Sequence, residues 1–103
     1  MRKKQIKELA KKWGYILVYS DYSSKARSNV WMVKVPTTIF KTRPGFVRTL
    51  KVLEDENIEE LLDKTKKYFA DSEAPIKVIF RDNRYSNNDE NEKELFIIGE
   101  STN

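Results

Sequence analysis

Residues 15–36, YILVYSDYSSKARSNVWMVKVP, decide the fold because they place two apolar runs on either side of a polar segment. The runs YILVY (15–19) and NVWMVKVP (29–36) are rich in β-branched and aromatic residues, which is typical of strands. The segment SDYSSKARSN (20–29) carries the Ser, Asp and Asn residues that favour turns. The pattern predicts a β-hairpin with residues 20–29 as its loop and with Pro36 ending the second strand.

An amphipathic helix is predicted before this hairpin. Its apolar stripe has the spacing i, i+3, i+4 and i+7 and consists of Ile6, Leu9, Ala10 and Trp13. Lysines occupy most of the remaining helix surface. Gly14 follows at the position where a left-handed residue commonly ends a helix, so we expect the helix to stop there.

A third strand and a second helix are predicted next. FVRTLKVL (46–53) alternates with a period of two and places Phe46, Leu50 and Val52 on one face. Asp55 or Asn57 can then cap a helix. The apolar stripe of this helix consists of Ile58, Leu61, Leu62, Thr65 and Phe69.

Two more strands, IKVIF (76–80) and LFII (95–98), complete the predicted elements. A polar hairpin loop (82–94) separates them, and a short tail (99–103) follows. The order α-β-β-β-α-β-β predicts one α+β domain over residues 1–103. We expect a mainly antiparallel sheet, paired sequentially, with two helices packed on one face.

The first five predicted elements follow the order found in double-stranded-RNA-binding domains. Those domains place lysines at the start of their second helix, where they meet phosphates. This chain has EDENIEE (54–60) at that position, and its carboxylates would repel phosphates. The resemblance is therefore one of element order and does not assign the chain to that family.

Charge is divided unevenly along the chain. Residues 1–52 carry a net charge of +11 and residues 53–103 carry −7, so the whole chain has +4. Such asymmetry suggests a polyanionic partner, an acidic protein partner or a dipolar molecule. The alternative is that the two halves fold against each other and their charges partly pair.

Several kinds of chemistry are excluded by composition. The chain has no His and no Cys, which removes ordinary zinc sites and the Ser–His and Cys–His nucleophilic sites. It has no glycine-rich phosphate-binding motif. We therefore predict a protein that is not an enzyme and has no cofactor and no metal. The remaining catalytic alternative is a histidine-independent ribonuclease, for which two groups of residues have suitable chemistry: Tyr22, Lys25 and Arg27, or Arg81, Arg84 and Tyr85.

The location of the protein is predicted from its hydropathy pattern. No apolar run approaches the roughly 20 residues that a membrane span needs. The basic N-terminus lacks the apolar region of a signal peptide. We therefore expect a cytoplasmic protein with no membrane partner.

Binding of nucleic acid, or of a protein complex that processes it, is the leading functional prediction. Three basic elements of the first half could contact phosphates. The candidates are Lys3, Lys4, Lys7, Lys11 and Lys12 of the first helix, Tyr22, Lys25 and Arg27 of the hairpin loop, and Lys41, Arg43 and Arg48 after the second strand. Strand aromatics in a small domain usually belong to the core, so Tyr19 and Trp31 are expected there. The nucleic-acid hypothesis requires the three basic elements to share one face.

The alternative prediction is a phage- or plasmid-type inhibitor of a larger nucleic-acid enzyme, such as an anti-CRISPR-like or other anti-defence factor. It would occlude the enzyme sterically or mimic nucleic acid with an acidic face. That face would consist of Glu54, Asp55, Glu56, Glu59, Glu60 and Asp63. These acids have a simpler explanation as well, because acidic residues stabilise a helix N-terminus. Pairing of edge strands in a homodimer is a third alternative.

Overall fold

The structure is a computed structural model, and it describes residues 2–39, 47–81 and 92–99. Its elements are α1 (Lys3–Trp13), β1 (Tyr15–Ser23), β2 (Ser28–Ile39), β3 (Val47–Asp55), α2 (Ile58–Tyr68), β4 (Ile76–Arg81) and β5 (Glu92–Ile98). The element order is the predicted one, and the α+β fold class is confirmed.

The five strands form one sheet in the order β3-β2-β1-β4-β5. The pairs β1–β2, β2–β3 and β4–β5 are antiparallel, whereas β1 and β4 are parallel. A mainly antiparallel sheet is therefore confirmed, but the expectation of sequential pairing is wrong for β3 and β4. These two strands run in the same direction, and parallel strands need a long crossover connection. Helix α2 supplies that crossover, which lets β4 pair with the central strand β1.

Both helices pack on one face of the sheet, as predicted. Ile6 and Ala10 of α1, Leu61 of α2 and Phe69 at the C-cap of α2 are buried in a single cluster. The sheet contributes the other buried members of this cluster, which are Ile16, Val18, Val33, Val35, Ile76, Val78 and Ile98. Trp31 lies on the same face, half-buried, with its ring centroid 5.8 Å from that of Phe80.

The opposite face of the sheet also carries buried side chains. Leu17, Tyr19, Val30 and Met32 are each at most 8% exposed, and none belongs to the helix-side cluster. Burial on both faces explains why YILVY has no polar residue at alternate positions. The prediction that Tyr19 is a core residue is therefore confirmed.

The predicted ends of both helices agree with the structure. Gly14 has a φ of 79° and donates its N–H to the Ala10 carbonyl at 2.8 Å, which ends α1. At the start of α2, Asn57 Oδ1 accepts the backbone N–H groups of Glu59 at 2.8 Å and Glu60 at 3.2 Å. Asn57 is thus the N-cap, and Asp55 supports it by accepting the Asn57 N–H at 2.9 Å.

The first hairpin has a shorter loop than predicted. Its turn covers only residues 24–27, because Ser20 pairs with Trp31 and the ladder continues to the pair Ser23–Ser28. The polar residues of this ladder fit a strand because their side chains alternate between buried and exposed positions. Ser23 is 1% exposed, whereas Ser20 and Tyr22 are exposed.

Two further boundaries differ from the prediction. Pro36 does not end β2, because it lies at a register shift between Pro36 and Thr38 where the missing N–H of proline is tolerated. Strand β5 begins at Glu92, which places Glu92–Glu94 in the sheet rather than in the predicted loop. Phe46, the rest of that loop (82–91) and residues 100–103 of the predicted tail lie outside the described residues.

Candidate nucleic-acid interface

Helix α1 presents a dense basic surface. Burial of Ile6 and Ala10 fixes which side of the helix faces the sheet, so the charged positions face outward or sideways. Residues 2–12 carry six cations against the single acid Glu8, a net charge of +5. The cations are Arg2, Lys3, Lys4, Lys7, Lys11 and Lys12.

A cleft of about 330 Å³ lies between α1 and the turn that follows α2. We call it the lysine cleft. Its lining residues are Lys3, Lys4, Lys7, Glu8, Lys11, Asp71 and Ser72. Four of these seven side chains are cations, so the cleft is suited to an anion despite its two carboxylates.

Tyr68 and Asp71 position two of the cleft lysines. The Nζ atoms of Lys3 and Lys7 lie 4.8 and 5.8 Å from the centroid of the Tyr68 ring, within the range of cation–π attraction. Lys7 Nζ also donates to Asp71 Oδ1 at 2.8 Å. This hydrogen bond is the main reason why the pKa of Asp71 lies below its usual value.

The other lysines of α1 are held less firmly. Lys11 pairs with Glu8 at 3.1 Å within the helix, and Lys12 Nζ lies 4.8 Å from the ring centroid of Trp13. Lys4 is exposed and, within the described part of the chain, forms no ion pair. The ion pair of Lys11 and the cation–π contact of Lys12 are weak at a surface, so these cations remain accessible to a ligand.

The hairpin turn carries its predicted candidates in exposed positions. Tyr22 is 57% exposed, and Lys25 and Arg27 are also exposed. Arg27 has a φ of 57°, and its N–H donates to the Ser23 carbonyl at 2.7 Å. The turn is therefore closed by a left-handed residue that is not glycine.

The hairpin turn lies beside acidic residues rather than beside α1. Lys25 shares a shallow surface cleft with Glu54, Asp55 and Glu56. Hydrogen bonds from Ser23 and Lys51 lower the pKa of Glu54, and the charge of Lys25 adds to this effect. These contacts show that the opposite charges of the two halves pair in part.

The predicted basic elements are therefore spread over the surface rather than gathered at one site. Lys3 and Lys7 contact residues at the C-terminal end of α2, whereas the hairpin turn lies near its N-terminal end. An 11-residue helix separates these ends by about 16 Å. Arg48 lies opposite Thr38 in the first part of β3, away from the hairpin turn. Lys41 and Arg43 lie outside the described residues.

The predicted acidic face is partly neutralised by ion pairs. Glu54 pairs with Lys51 at 2.9 Å, Asp55 with Lys64 at 2.7 Å and Asp63 with Lys67 at 3.2 Å. The other three candidates, Glu56, Glu59 and Glu60, are exposed. Glu59 and Glu60 lie in the first turn of α2, where carboxylates stabilise the helix dipole.

Sequence reasoning missed Asp71, which lines the lysine cleft, and Tyr68, whose ring attracts two of the cleft lysines. Asp71 is 64 positions from Lys7, so no local spacing connects them. Tyr68 is next to the apolar stripe of the second helix but is not part of it, so its position in the sequence resembles that of an ordinary surface residue. The sequence holds only an indirect signal for this contact, which is the presence of an aromatic residue at the end of α2 that can attract lysines of the adjacent helix.

The described residues contain no cluster of three or more acidic side chains arranged to hold a metal ion. Among the helices described, none has the length and apolar character required to cross a membrane. Family models and searches of curated proteins and of solved structures yield no match to this chain.

Proposed function

We propose that the protein is a non-enzymatic binding module that contacts the phosphates of nucleic acid through α1. The observation that carries this proposal is the net charge of +5 over residues 2–12, on a helix whose lysines line a cleft. Phosphate contacts by lysine release condensed counterions, which supplies affinity without base recognition. We therefore expect binding that depends little on sequence and strongly on salt.

The hairpin turn is a weaker candidate for the same role. Lys25 and Arg27 are exposed, but Glu54 and Glu56 lie beside Lys25 and would repel a phosphate. Tyr22 is exposed enough to stack on an unpaired base. We assign the turn a secondary contact at most and place the main affinity on α1.

Inhibition of a nucleic-acid enzyme through protein contact is the second candidate function. The observation in its favour is the exposed group of Glu56, Glu59 and Glu60 at the start of α2, whereas the lysine cleft adjoins the turn after that helix. An acidic surface of this kind would suit a basic channel. It ranks second because three of the six predicted acids are engaged in ion pairs within the chain.

Fluorescence anisotropy with labelled single- and double-stranded DNA and RNA, at about 50 and 200 mM salt, tests the proposal. The key variant combines Lys4→Glu and Lys12→Glu, because both side chains are exposed and outside the core. The matched control combines Lys25→Glu and Arg27→Glu, which changes the net charge equally at the hairpin turn.

We expect the α1 variant to lose at least about tenfold in affinity and the hairpin variant to lose much less. If the hairpin variant alone loses binding, the assignment to α1 is wrong. If the unmodified protein binds none of the four nucleic acids at about 50 mM salt, nucleic-acid binding itself is rejected.

A further inference from the structure

We infer that the lysine cleft binds the backbone of a single nucleic-acid strand, and that Asp71 competes with the central phosphate for Lys7. This inference rests on the proposed function and adds the form of the ligand and a built-in competitor. It places three consecutive phosphates on Lys3, Lys7 and Lys11, all of which line the cleft.

The spacing of the three lysines supports a linear polyanion. Lys3, Lys7 and Lys11 occupy positions i, i+4 and i+8 of α1, so they form a row along one side of the helix. The helix rises about 6 Å between successive members of this row. Consecutive phosphates of an extended strand are separated by a distance of the same order. One strand can therefore place a phosphate near each lysine.

The small volume of the cleft favours a single strand over a duplex. The side chains of Lys7 and Lys11 are only 22% and 33% exposed, so both are partly enclosed by the cleft. Asp71 and Ser72 form the wall opposite α1. A cleft of about 330 Å³ can admit part of one sugar-phosphate backbone, whereas a duplex is too large to enter it.

The aromatic ring nearest the cleft is already engaged. The Tyr68 ring attracts the ammonium groups of Lys3 and Lys7, which orders the two side chains before a ligand arrives. Because this ordering is present in advance, less entropy is lost on binding. The ring is half-buried and so is poorly placed to stack on bases. We therefore expect the cleft to contact the phosphates of the strand and not its bases.

Asp71 occupies the position that the central phosphate would take. Its carboxylate accepts a hydrogen bond from Lys7 Nζ at 2.8 Å, and the charge of Lys3 also acts on it. A carboxylate and a phosphodiester each carry one negative charge and accept the same donor. The Asp71 side chain is 72% exposed, so it can rotate into solvent when a phosphate arrives. Removing its charge should therefore strengthen binding.

The decisive comparison is Asp71→Asn against Asp63→Asn, measured by anisotropy with a short labelled oligothymidylate. Asp63 pairs with Lys67 on the surface of α2, and neither residue lines the cleft. Both variants add one unit of positive charge, so the comparison cancels the general electrostatic effect. We expect Asp71→Asn to bind about three- to fivefold more tightly than the unmodified protein and Asp63→Asn to change affinity by less than about twofold. Equal effects of the two variants would overturn the competitor role.

The salt dependence of the affinity measures how many phosphates the cleft contacts. Three contacts to a single strand predict a slope of log affinity against log salt of about −2, since each contact contributes about −0.7. Lys7→Gln should reduce the magnitude of this slope by about 0.7, and Lys66→Gln, at an exposed residue that does not line the cleft, should leave it unchanged. A tighter complex with duplex than with single strand would overturn the choice of ligand.

The variants distinguish a wrong assignment of the cleft from a wrong assignment of the function. Binding that is lost in the α1 charge-reversal variant but unaffected by Lys7→Gln keeps the function and rejects the cleft. Absence of binding to every nucleic acid rejects both. Thermal unfolding of each variant checks that a lost signal reflects the cleft and not the fold.

Discussion

Lys64 Nζ lies 2.7 Å from Asp55 Oδ2, and this ion pair joins the surface of α2 to the last residue of β3. The carboxylate also accepts the Asn57 N–H through its other oxygen. The Asp55 side chain is 20% exposed, so solvent screens the pair only in part. One carboxylate thus connects a strand end, a helix cap and a lysine about two turns further along.

The pH dependence of stability should reflect this arrangement. The hydrogen bond from Lys64, followed by that from Asn57, lowers the pKa of Asp55 below its usual 3.8. A lowered folded-state pKa adds stability that is present above the unfolded-state value and is lost as the pH falls through the folded-state value. We expect the free energy of unfolding to decrease from about pH 5 downward in the unmodified protein.

In Asp55→Asn that decrease should be smaller, because the amide retains an acceptor for Asn57 but cannot titrate. Urea unfolding at a series of pH values measures the difference. Parallel pH curves for the two proteins would show that Asp55 contributes nothing to the acid sensitivity.

Gly99 and Gly14 should respond differently to alanine. Both have positive φ angles, 73° and 79°, which strain an L-residue by about 1–2 kcal/mol. A Cβ at Gly99 would also lie 2.6 Å from the Ser72 carbonyl oxygen, whereas a Cβ at Gly14 meets nothing within 4 Å. Gly99→Ala should therefore lower the free energy of unfolding by at least about 1 kcal/mol more than Gly14→Ala. Equal losses in chemical denaturation would mean that the backbone near Gly99 relaxes without cost.

Arg27→Gly should stabilise the protein. Arg27 has a φ of 57°, a conformation that glycine adopts without steric strain. The gain in the free energy of unfolding should be a few tenths to about 1 kcal/mol, since the added freedom of the unfolded chain offsets part of the relief. Lys25→Gly removes a cation from the same turn, where only Arg27 has a positive φ, and should not stabilise. Nucleic-acid affinity should change little in either variant, and a large loss in both would move the binding site to the turn.

Variants at Thr65 measure how much a buried hydroxyl contributes to the free energy of unfolding. The residue is fully buried, and its Oγ1 donates to the Leu61 carbonyl at 2.7 Å. Thr65→Val keeps the shape and leaves that carbonyl with its helical partner, so we expect a change within about 1 kcal/mol. Thr65→Ala also leaves a cavity beside Leu61 and Phe69 and should destabilise by about 1–2 kcal/mol. Denaturant midpoints of the two variants in one buffer distinguish these outcomes, and a larger loss in the valine variant would contradict the assignment.

Local signals in the sequence predicted the helices well and the strand pairing less well. The end of α1 at Gly14 and the cap at Asn57 depend on neighbouring residues, so spacing alone reveals them. The pairing of β4 with β1 depends on which apolar strand covers the open edge of β1. IKVIF and LFII satisfy the same hydropathy rule, and no local pattern distinguishes a sequential partner from a distant one.

The candidate site was predictable in its charges but not in its geometry. The lysine positions of α1 follow from the buried stripe of Ile6 and Ala10. The contact between Lys7 and Asp71 requires α2 to cross the sheet and bring its last turn next to α1. It therefore depends on tertiary structure and not on local sequence. The separation of the hairpin turn from Lys3 and Lys7 likewise depends on tertiary structure, since they lie near opposite ends of α2.

The parallel pairing of β1 with β4 also sets an order for assembly. Strands β1, β2 and β3 join through neighbours in the chain, whereas Leu17 meets Ile79 across about sixty intervening residues. Contacts of such long range form late because the chain must close a large loop first. Until residues 76–81 arrive, the apolar edge of β1 has no partner, and an unpaired edge of this kind attracts other chains. Refolding yield should therefore fall as protein concentration rises, and a nascent chain would be most vulnerable to aggregation after β3 is made and before β4 docks.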